Sequence, residues 1–558
     1  MNVTKLIKPP HLTESIHTVE PIQNLKELLH HSCSNYSDHV AFRYKDKGSG
    51  TMVSKTYADF QQDVNALGTA LLEQNFKNER IMVISSNRYE WCITYLATVN
   101  GVGTIIPIDR ELPPDEITTL VNKSEPNVIF FEEKFLDLFV QLKEQKVGVI
   151  QKLVCFDLAE DTKEVSSFSR LLEEGKHLLD NGNRIFLDTQ IDSKASTIMI
   201  YTSGTTSKSK CVLLSPYNIA SDVVACAKVV HFKDTDVLLS FLPIHHTFEC
   251  TATFLLGLYS GACIAFCDGM KSIIPNLKEY DITIFLAVPL ILEMLYKGVL
   301  KTSAEKNLPP ETVLRAMAPH LRLFIVGAAS IDKEIVAGLN KLGIDAYQGY
   351  GLTEASPVVS VENDKERRPG SIGKLLPGIE GKIVNPDEEG VGEIVIKGPT
   401  IMEGYYDNKE ATDSALQDGW LYTGDLGYFD QDGFLYITGR KKSVIVLKNG
   451  KNVFPEEIEA VINNSPLILE SFVYSTKHRN SSDQLCAKIV YNQEYLSQTY
   501  GSMTEEDKRE LILRHIKQIN KNLPLYKYIR DITLTTEPLI KTTTNKIKRY
   551  EELKRTVS

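Results

Sequence analysis

The segment YTSGTTSKSKCVLLS, residues 201 to 215, sets a run of hydroxyls, one glycine and two spaced lysines between apolar stretches. That chemistry suits phosphate. In a G-x-x-x-x-G-K-[ST] loop, backbone amides cradle the phosphate oxygens, the lysine supplies charge and the last hydroxyl reaches magnesium. Gly204 and Lys210 fit the spacing, but Ser209 and Cys211 stand where the second glycine and the Ser/Thr belong, which argues against a kinase-type loop. A polar surface loop is the competing reading, because Ser, Thr and Gly clusters between periodic segments form loops.

Three further stretches carry chemistry-bearing residues. In YQGYGLTEASP, residues 347 to 357, glycines flank Tyr350 and permit close backbone approach to a ligand. Tyr350 could stack on a base, and Glu354 could ligate a hard cation. In DGWLYTGDLGYFD (418–430) and ITGRKK (437–442), Asp425 is an acceptor suited to two ribose hydroxyls and Arg440 a donor to ribose or phosphate. In FLPIHHTFEC (241–250), His246, Glu249 and Cys250 sit at i, i+3 and i+4, a spacing that could place metal ligands on one helix face. No paired motif elsewhere completes a zinc set, so a structural histidine is the simpler reading there. Taken singly, each stretch is equally well a strand end, a turn or a solvated face.

The elements that must position these residues follow from periodicity. IMVIS (81–85), TIIPI (104–108) and NVIFF (127–131) are short apolar runs, with helical patterns at Tyr89 to Val99 and Pro114 to Lys123 between them. The alternation predicts βαβ units and a mostly parallel sheet. It returns at LRLFIV (321–326), followed by a helical stretch to Leu342. GYFDQDGFLYI (427–437) predicts a hairpin turning at Asp432-Gly433. FPEEIEAVI (454–462) opens a helix at Pro455, and Thr504 caps a longer one with Ile512, Ile516, Ile519 and Leu523 on one face, stopped by Pro524. The fold class is therefore α/β: a large N-terminal α/β body of several subdomains over residues 1–439, and a small α+β domain over 443–558.

Composition excludes several classes. The 558 residues carry a net charge of -10, without the basic footprint of a nucleic-acid binder. Nine scattered cysteines suggest neither a disulfide framework nor a C-x-x-C metal site, and fit a reducing, cytoplasmic setting. The N-terminus lacks the apolar core of a signal peptide. The uncharged run from Cys250 to Cys267 is interrupted by Ser260-Gly261 and reads as helix, turn and strand, leaving peripheral membrane contact open.

In family order, these motifs resemble the adenylate-forming (AMP-binding) superfamily, most of all the long-chain fatty acyl-CoA synthetases. The resemblance runs through KTYADF at 55, GTIIPIDRELPPDEI at 103, YTSGTT at 201, FLPIHHTFE at 241, YGLTE at 350, GEIVIKGPTIMEGYY at 392, WLYTGDLG at 420, GRKKSVIVLKNGKNVFPEEIE at 439 and KTTTNKIKR at 541. It implies that a carboxylate attacks the ATP α-phosphate to give acyl-AMP and pyrophosphate, after which a thiol displaces AMP. By position, Thr202, Ser203, Gly204, Thr205, Thr206 and Lys210 would line the phosphates, and Gly327, Ala328 and Tyr350 would frame adenine. Thr353 would stand at the phosphoryl centre, Glu354 on Mg2+, and Asp425 and Arg440 on ribose. Lys546 would be the catalytic lysine carried by the small, mobile domain, residues 440–442 its hinge with Lys442 as pivot, and His246 part of the acyl-pocket wall.

The chain departs from the family pattern at Ser207, Ser209 and Cys211, in place of Gly, Pro and Gly, and at Ile540 and Asn545, in place of Pro and Gly. Left-handed backbone at the first group would cost about a kcal/mol each. Amino-acid-activating relatives place an Asp after the 241–250 region; CTATFLL here offers an ammonium no partner, which favours an acid with an apolar tail. The expected substrates are a medium- or long-chain fatty acid, ATP and coenzyme A. A carrier protein as acyl acceptor and a catalytically weakened nucleotide or acyl sensor are the alternatives.

Overall fold

The computed structural model describes residues 13–202, 210–327, 331–447, 452–476, 484–542 and 546–557. Two large sheets form the body. One has eight strands in the order Gly404–Tyr405, Lys210–Leu214, Ile198–Thr202, Gly103–Pro107, Glu79–Ile84, Val128–Phe131, Lys152–Cys155 and Ser166–Ser167. From Ile198–Thr202 onward its pairs are parallel, and the two strands before it are antiparallel. The apolar runs at 81, 104 and 127 are three of these strands, buried because helices cover both faces. Between them lie the helices Tyr89–Ala97, which opens into a wide turn Thr98–Val102, and Pro114–Ser124. The second helix begins with proline at its first position and carries Asp115 and Glu116 in the first turn and Lys123 in the last, each matching the helix dipole.

The second sheet has nine strands, with a parallel centre of Asp345–Gly351, Leu323–Val326, Ile284–Ala287, Val237–Ser240, Cys263–Phe266 and Val40–Lys45. The uncharged 250–267 run is spent inside it. A wide helix Phe248–Leu255 continues into Leu256–Tyr259, turns at Gly261 and enters the strand Cys263–Phe266, all of it core. At Gly261 the backbone has φ +78° and a Cβ would lie 2.7 Å from the Tyr36 ring, so only glycine fits. Among the described residues no helix is long and apolar enough to cross a membrane.

A third, antiparallel sheet carries the strand Trp420–Phe429 and its hairpin partner Leu435–Arg440, with Gly433 at φ +84° in the turn. Beyond it, helices Pro455–Asn463 and Glu505–Lys521 pack on a three-stranded sheet of Ile468–Thr476, Gln484–Tyr491 and Ile529–Thr535. Thr504 closes a reciprocal capping box with Asp507. Ile512, Ile516 and Ile519 are buried on one face; Leu523 packs on the same core just past the end of the helix.

Candidate active site

The hairpin brings two of the candidate residues together through a bulge between Leu426 and Gly427, which shifts the register by one residue. Asp425 and Arg440 are cross-strand partners, and Arg440 Nε reaches Asp425 Oδ1 at 3.0 Å. The other carboxylate oxygen accepts the Tyr350 hydroxyl at 2.6 Å. Asp425 is 3% exposed and Arg440 faces the solvent, so the carboxylate is held between the Tyr350 hydroxyl and an exposed guanidinium. Asp425 raises the affinity of the Arg440 guanidinium for its proton, and burial together with Asp425 pushes the Tyr350 hydroxyl far above its ordinary range. Tyr350 sits at the end of the strand Asp345–Gly351, where a Cβ on Gly351 would come 2.1 Å from the Pro357 carbonyl oxygen. Glycine is therefore required to bring the Tyr350 ring and the following turn together.

That turn, Thr353–Ala355, presents Thr353 and Glu354. The Met402 N–H donates to the Glu354 carbonyl at 2.9 Å, and the Tyr405 hydroxyl donates to Glu354 Oε1 at 2.8 Å. The Lys210 ammonium stands 4.3 Å from the centre of the Tyr405 ring. Burial and Lys442 lower the Lys210 pKa, with Glu354 opposing, so Lys442 and Glu354 both lie within electrostatic reach of Lys210. Thr202 is the strand partner of Lys210 and donates from Oγ1 to its carbonyl at 3.3 Å.

Lys546 joins the same cleft from the last segment of the chain. Burial and the charge of Arg440 lower its pKa, while Asp425 and Glu354 raise it. Lys546 is exposed to solvent. The tail that presents it is closed at its base by the Lys541–Ile547 bridge, by Thr542 N–H donating to the Lys546 carbonyl at 2.8 Å, and by Lys546 N–H donating to Thr542 Oγ1 at 3.2 Å. Charges anchor that base. Glu552, wholly buried, takes Lys488 at 2.8 Å, Arg555 at 2.8 Å and the Ile540 N–H at 2.8 Å. Burial works against the charge of Glu552, yet the Ile540 N–H, Lys488 and Arg555 hold its pKa below the usual carboxylate value. Arg549 binds Glu456 and Glu459, and Lys541 binds Glu470.

His246 lies close enough to Lys546 for that lysine to affect its charge; burial and His245 push its pKa far below 6.5. Gly327, at the end of the strand Leu323–Val326, faces the Phe248 ring, and a Cβ there would stop 3.0 Å from the ring tip. The i, i+3, i+4 trio does not assemble. Glu249 turns into the core, where Ser240 Oγ donates at 2.7 Å and Thr253 Oγ1 at 3.0 Å, and Cys250 is buried near Tyr95. Burial raises Glu249 to about 8, so its carboxyl is mostly protonated at neutral pH.

Ser203, Gly204, Thr205, Thr206, Ser207, Ser209, Ala328 and Asn545 lie outside the described residues. Cys211 is described, and it sits in the strand Lys210–Leu214 opposite Tyr201, in extended backbone. The substitution of glycine there carries no left-handed strain, contrary to the cost expected from the sequence. Three contributors escaped sequence reading: Tyr405, which orients Glu354, and the Glu552–Lys488 pair, which anchors the tail. GEIVIKGPTIMEGYY contained Tyr405 as a motif member, but nothing local marks a tyrosine as the partner of a carboxylate 51 positions earlier.

Residues 29–406 match the family model of the AMP-binding enzyme, and residues 442–555 that of the AMP-binding enzyme C-terminal domain. The chain belongs to the AMP-binding enzyme family. It is 26% identical to a long-chain-fatty-acid–CoA ligase of Mycobacterium bovis over 497 residues, 82% of this chain and 80% of that protein. In fold it is similar to an anthranilate CoA ligase in complex with anthranoyl-AMP, with a TM-score of 0.79, 20% identity and coverage of 96% of this chain and 98% of the other. It is likewise similar to ATP-bound MatB from Rhodopseudomonas palustris, with a TM-score of 0.76, 24% identity and coverage of 95% and 98%. An adenylate-forming acid–CoA ligase is the activity these likenesses support.

Proposed function

We propose that this AMP-binding enzyme uses ATP to activate a medium- or long-chain fatty acid as the acyl-AMP, and then passes the acyl group to coenzyme A. The observation that carries this reading is that Lys546, Arg440, Asp425 and Glu354, drawn from segments up to 192 positions apart, lie within electrostatic reach of one another, with His246 also within reach of Lys546. In the first step a carboxylate oxygen attacks the α-phosphorus and pyrophosphate leaves. Charge builds on the α-phosphoryl oxygens, where a preorganised ammonium acts most strongly. Lys546 supplies it, Thr353 donates beside it, and Lys210 with residues 202–206 grips the phosphates beyond. Asp425 and Arg440 hold ribose while Gly327, Ala328 and Tyr350 frame adenine.

Glu354 fits magnesium. Among the described residues only its Oε1 is engaged, by Tyr405, and Mg2+ takes one or two carboxylates with substrate phosphates completing its shell. The ion would neutralise charge on the phosphate oxygens. In the second step the coenzyme A sulfur attacks the acyl carbon, the C–O bond to AMP breaks, and the thiol proton goes to solvent. Such a step needs Lys546 out of the way, and rotation of residues 443–558 about Lys442 provides for it.

The fatty-acid preference rests on the pocket rather than on the fold, which an anthranilate ligase shares. The segment after His246 is apolar, and burial raises Glu249 to about 8, so this segment offers an α-ammonium little counter-charge. The test is pyrophosphate release with ATP and magnesium across acids from acetate to long-chain and aromatic, each with and without coenzyme A. Release peaking with a fatty acid, with AMP and a thioester as products, supports the proposal. An aromatic optimum overturns the substrate assignment, and pyrophosphate without thioester turns the reading toward a carrier protein as acceptor.

A further inference from the structure

Two distant segments meet beside His246, and each is held independently of the side chains that matter. After the strand Gly103–Pro107, Asp109 is fixed through Oδ1, which accepts the Glu111 N–H at 2.9 Å. Its Oδ2 is left facing inward. After the strand Val237–Ser240, the loop bearing His245 and His246 is pinned by Asn87, which donates to Ser240 Oγ at 2.9 Å and to the Leu242 carbonyl at 2.7 Å, and accepts the Ile244 N–H at 3.0 Å.

Asp109, His245 and His246 each offer one ligand atom, and the three lie within 4.8 Å of one another; among the described residues no other set of His, Cys, Asp or Glu does so. His245 is 6% exposed, and its Nε2 has no hydrogen-bond partner. The nearest carboxylate oxygen, Asp109 Oδ2, is 3.7 Å away, beyond hydrogen-bond range. His246 Nε2 is also buried without a partner. A buried polar atom left unpaired carries its full desolvation penalty, and here two imidazoles with unpartnered Nε2 atoms and a carboxylate bring ligand atoms within 4.8 Å of one another.

We propose that Asp109, His245 and His246 bind a divalent transition-metal ion of the zinc class, and that the filled site opposes adenylation. Two imidazoles and one carboxylate suit zinc or cobalt, whereas magnesium and calcium demand oxygen ligands. Bonds of about 2.0 Å in a tetrahedron set ligand atoms about 3.3 Å apart, so the 3.7 Å between His245 and Asp109 closes with a small side-chain movement. Three protein ligands leave the fourth position open. Lys546 already acts electrostatically on His246, and a divalent charge at this point repels its ammonium from the cleft. This inhibitory role rests on the proposed role of Lys546; the metal site does not.

The test uses the full-length protein stripped of metal. Zinc is titrated against a chromophoric chelator, and cobalt is added separately for its absorption spectrum. One equivalent of zinc, weakened tenfold or more in both Asp109→Asn and His245→Gln, with a cobalt spectrum lacking a thiolate band, establishes the site. Thermal unfolding of each variant without metal confirms that it is folded. The absence of a saturable equivalent, equal affinity in both folded variants, or a thiolate band assigning the ion to cysteine overturns it. In the second arm, free zinc is set by a metal buffer and acid-dependent pyrophosphate release is followed. Inhibition over the range of the binding curve, shifted at least tenfold in Asp109→Asn relative to its own uninhibited rate, supports the inhibitory role; an unshifted curve overturns that role. If no acid elicits pyrophosphate, the ligase reading fails while the binding arm still decides the site.

Discussion

Replacing Lys546 by alanine removes one charge from the cleft and leaves its scaffold intact, because the tail is held by the 541–547 bridge and by Glu552, Arg549 and Lys541 rather than by the Lys546 side chain. Loss of one preorganised donor to a developing oxyanion costs about 2.7–4 kcal/mol, or 10²–10³ in rate. Arg440 remains within reach and supplies part of the positive field, which places the expected loss near the lower end, about 10². ATP binding should change less than about threefold, since the lysine acts on the transition state and Asp425, Arg440, Tyr350 and Lys210 stay in place. The assay is single-turnover formation of acyl-AMP beside equilibrium ATP binding, with thioester formation from supplied acyl-AMP as the control half-reaction. The pH profile adds a sign. The protonated ammonium is the active form, and burial and Arg440 lower its pKa from 10.5, so adenylation falls on the alkaline side before an ordinary lysine titrates. Lys546→Arg, if active, removes that limb. Adenylation by Lys546→Ala within threefold of the parent, or an equal loss in both half-reactions, refutes the assignment.

Three further outcomes are expected. Asp425→Asn uncouples Tyr350 and Arg440 and should raise the ATP KM about ten- to a hundredfold, the worth of a charge-assisted hydrogen bond. Its stability should change by less than about 1 kcal/mol, because Arg440 is half in water; an unaltered KM counts against Asp425 as a nucleotide anchor. Glu552→Gln leaves the buried Lys488 charge without its partner and should cost about 3 kcal/mol by urea unfolding at pH 7, with slower adenylation as the tail loosens. Because the folded pKa of Glu552 is depressed, that stabilisation is present above the ordinary glutamate value of 4.5 and is lost as the pH falls through the folded value; a difference that persists at pH 2 contradicts the pairing. Glu249 has the opposite sign. With its folded pKa raised to about 8, stability declines from about pH 4.5 to 8 by up to about 1.4 kcal/mol per unit and then levels, and Glu249→Gln should flatten that slope in urea titrations across pH.

Much of the fold was legible because its signals are local. The apolar runs at 81, 104, 127 and 321 became buried strands, Pro455 opened its helix, Thr504 capped the long one, and Asp432-Gly433 turned the hairpin. Each depends on side-chain size, branching or a cap within a few residues, which a chain states directly. Pairing over long distances is not stated in that way. The nine-stranded sheet places Val40–Lys45 beside Cys263–Phe266, and the uncharged 250–267 run is largely buried because segments distant in the chain, such as Val40–Lys45, pack against it.

The site divides along the same line. The sequence by itself determined the stock of reactive groups and the hairpin that carries Asp425 and Arg440, whose pairing then depends on a bulge at Leu426–Gly427. Only the tertiary structure decided which groups share a cleft: that Tyr350 closes on Asp425, that Tyr405 orients Glu354, that Glu249 turns away from His246, and that Asp109 arrives in its place. It also decided charge state, since the same burial that leaves Glu249 mostly protonated keeps His245 an unprotonated base. Residue type fixes what a group can do. Desolvation and distance, which depend on every segment packed around it, fix what it does.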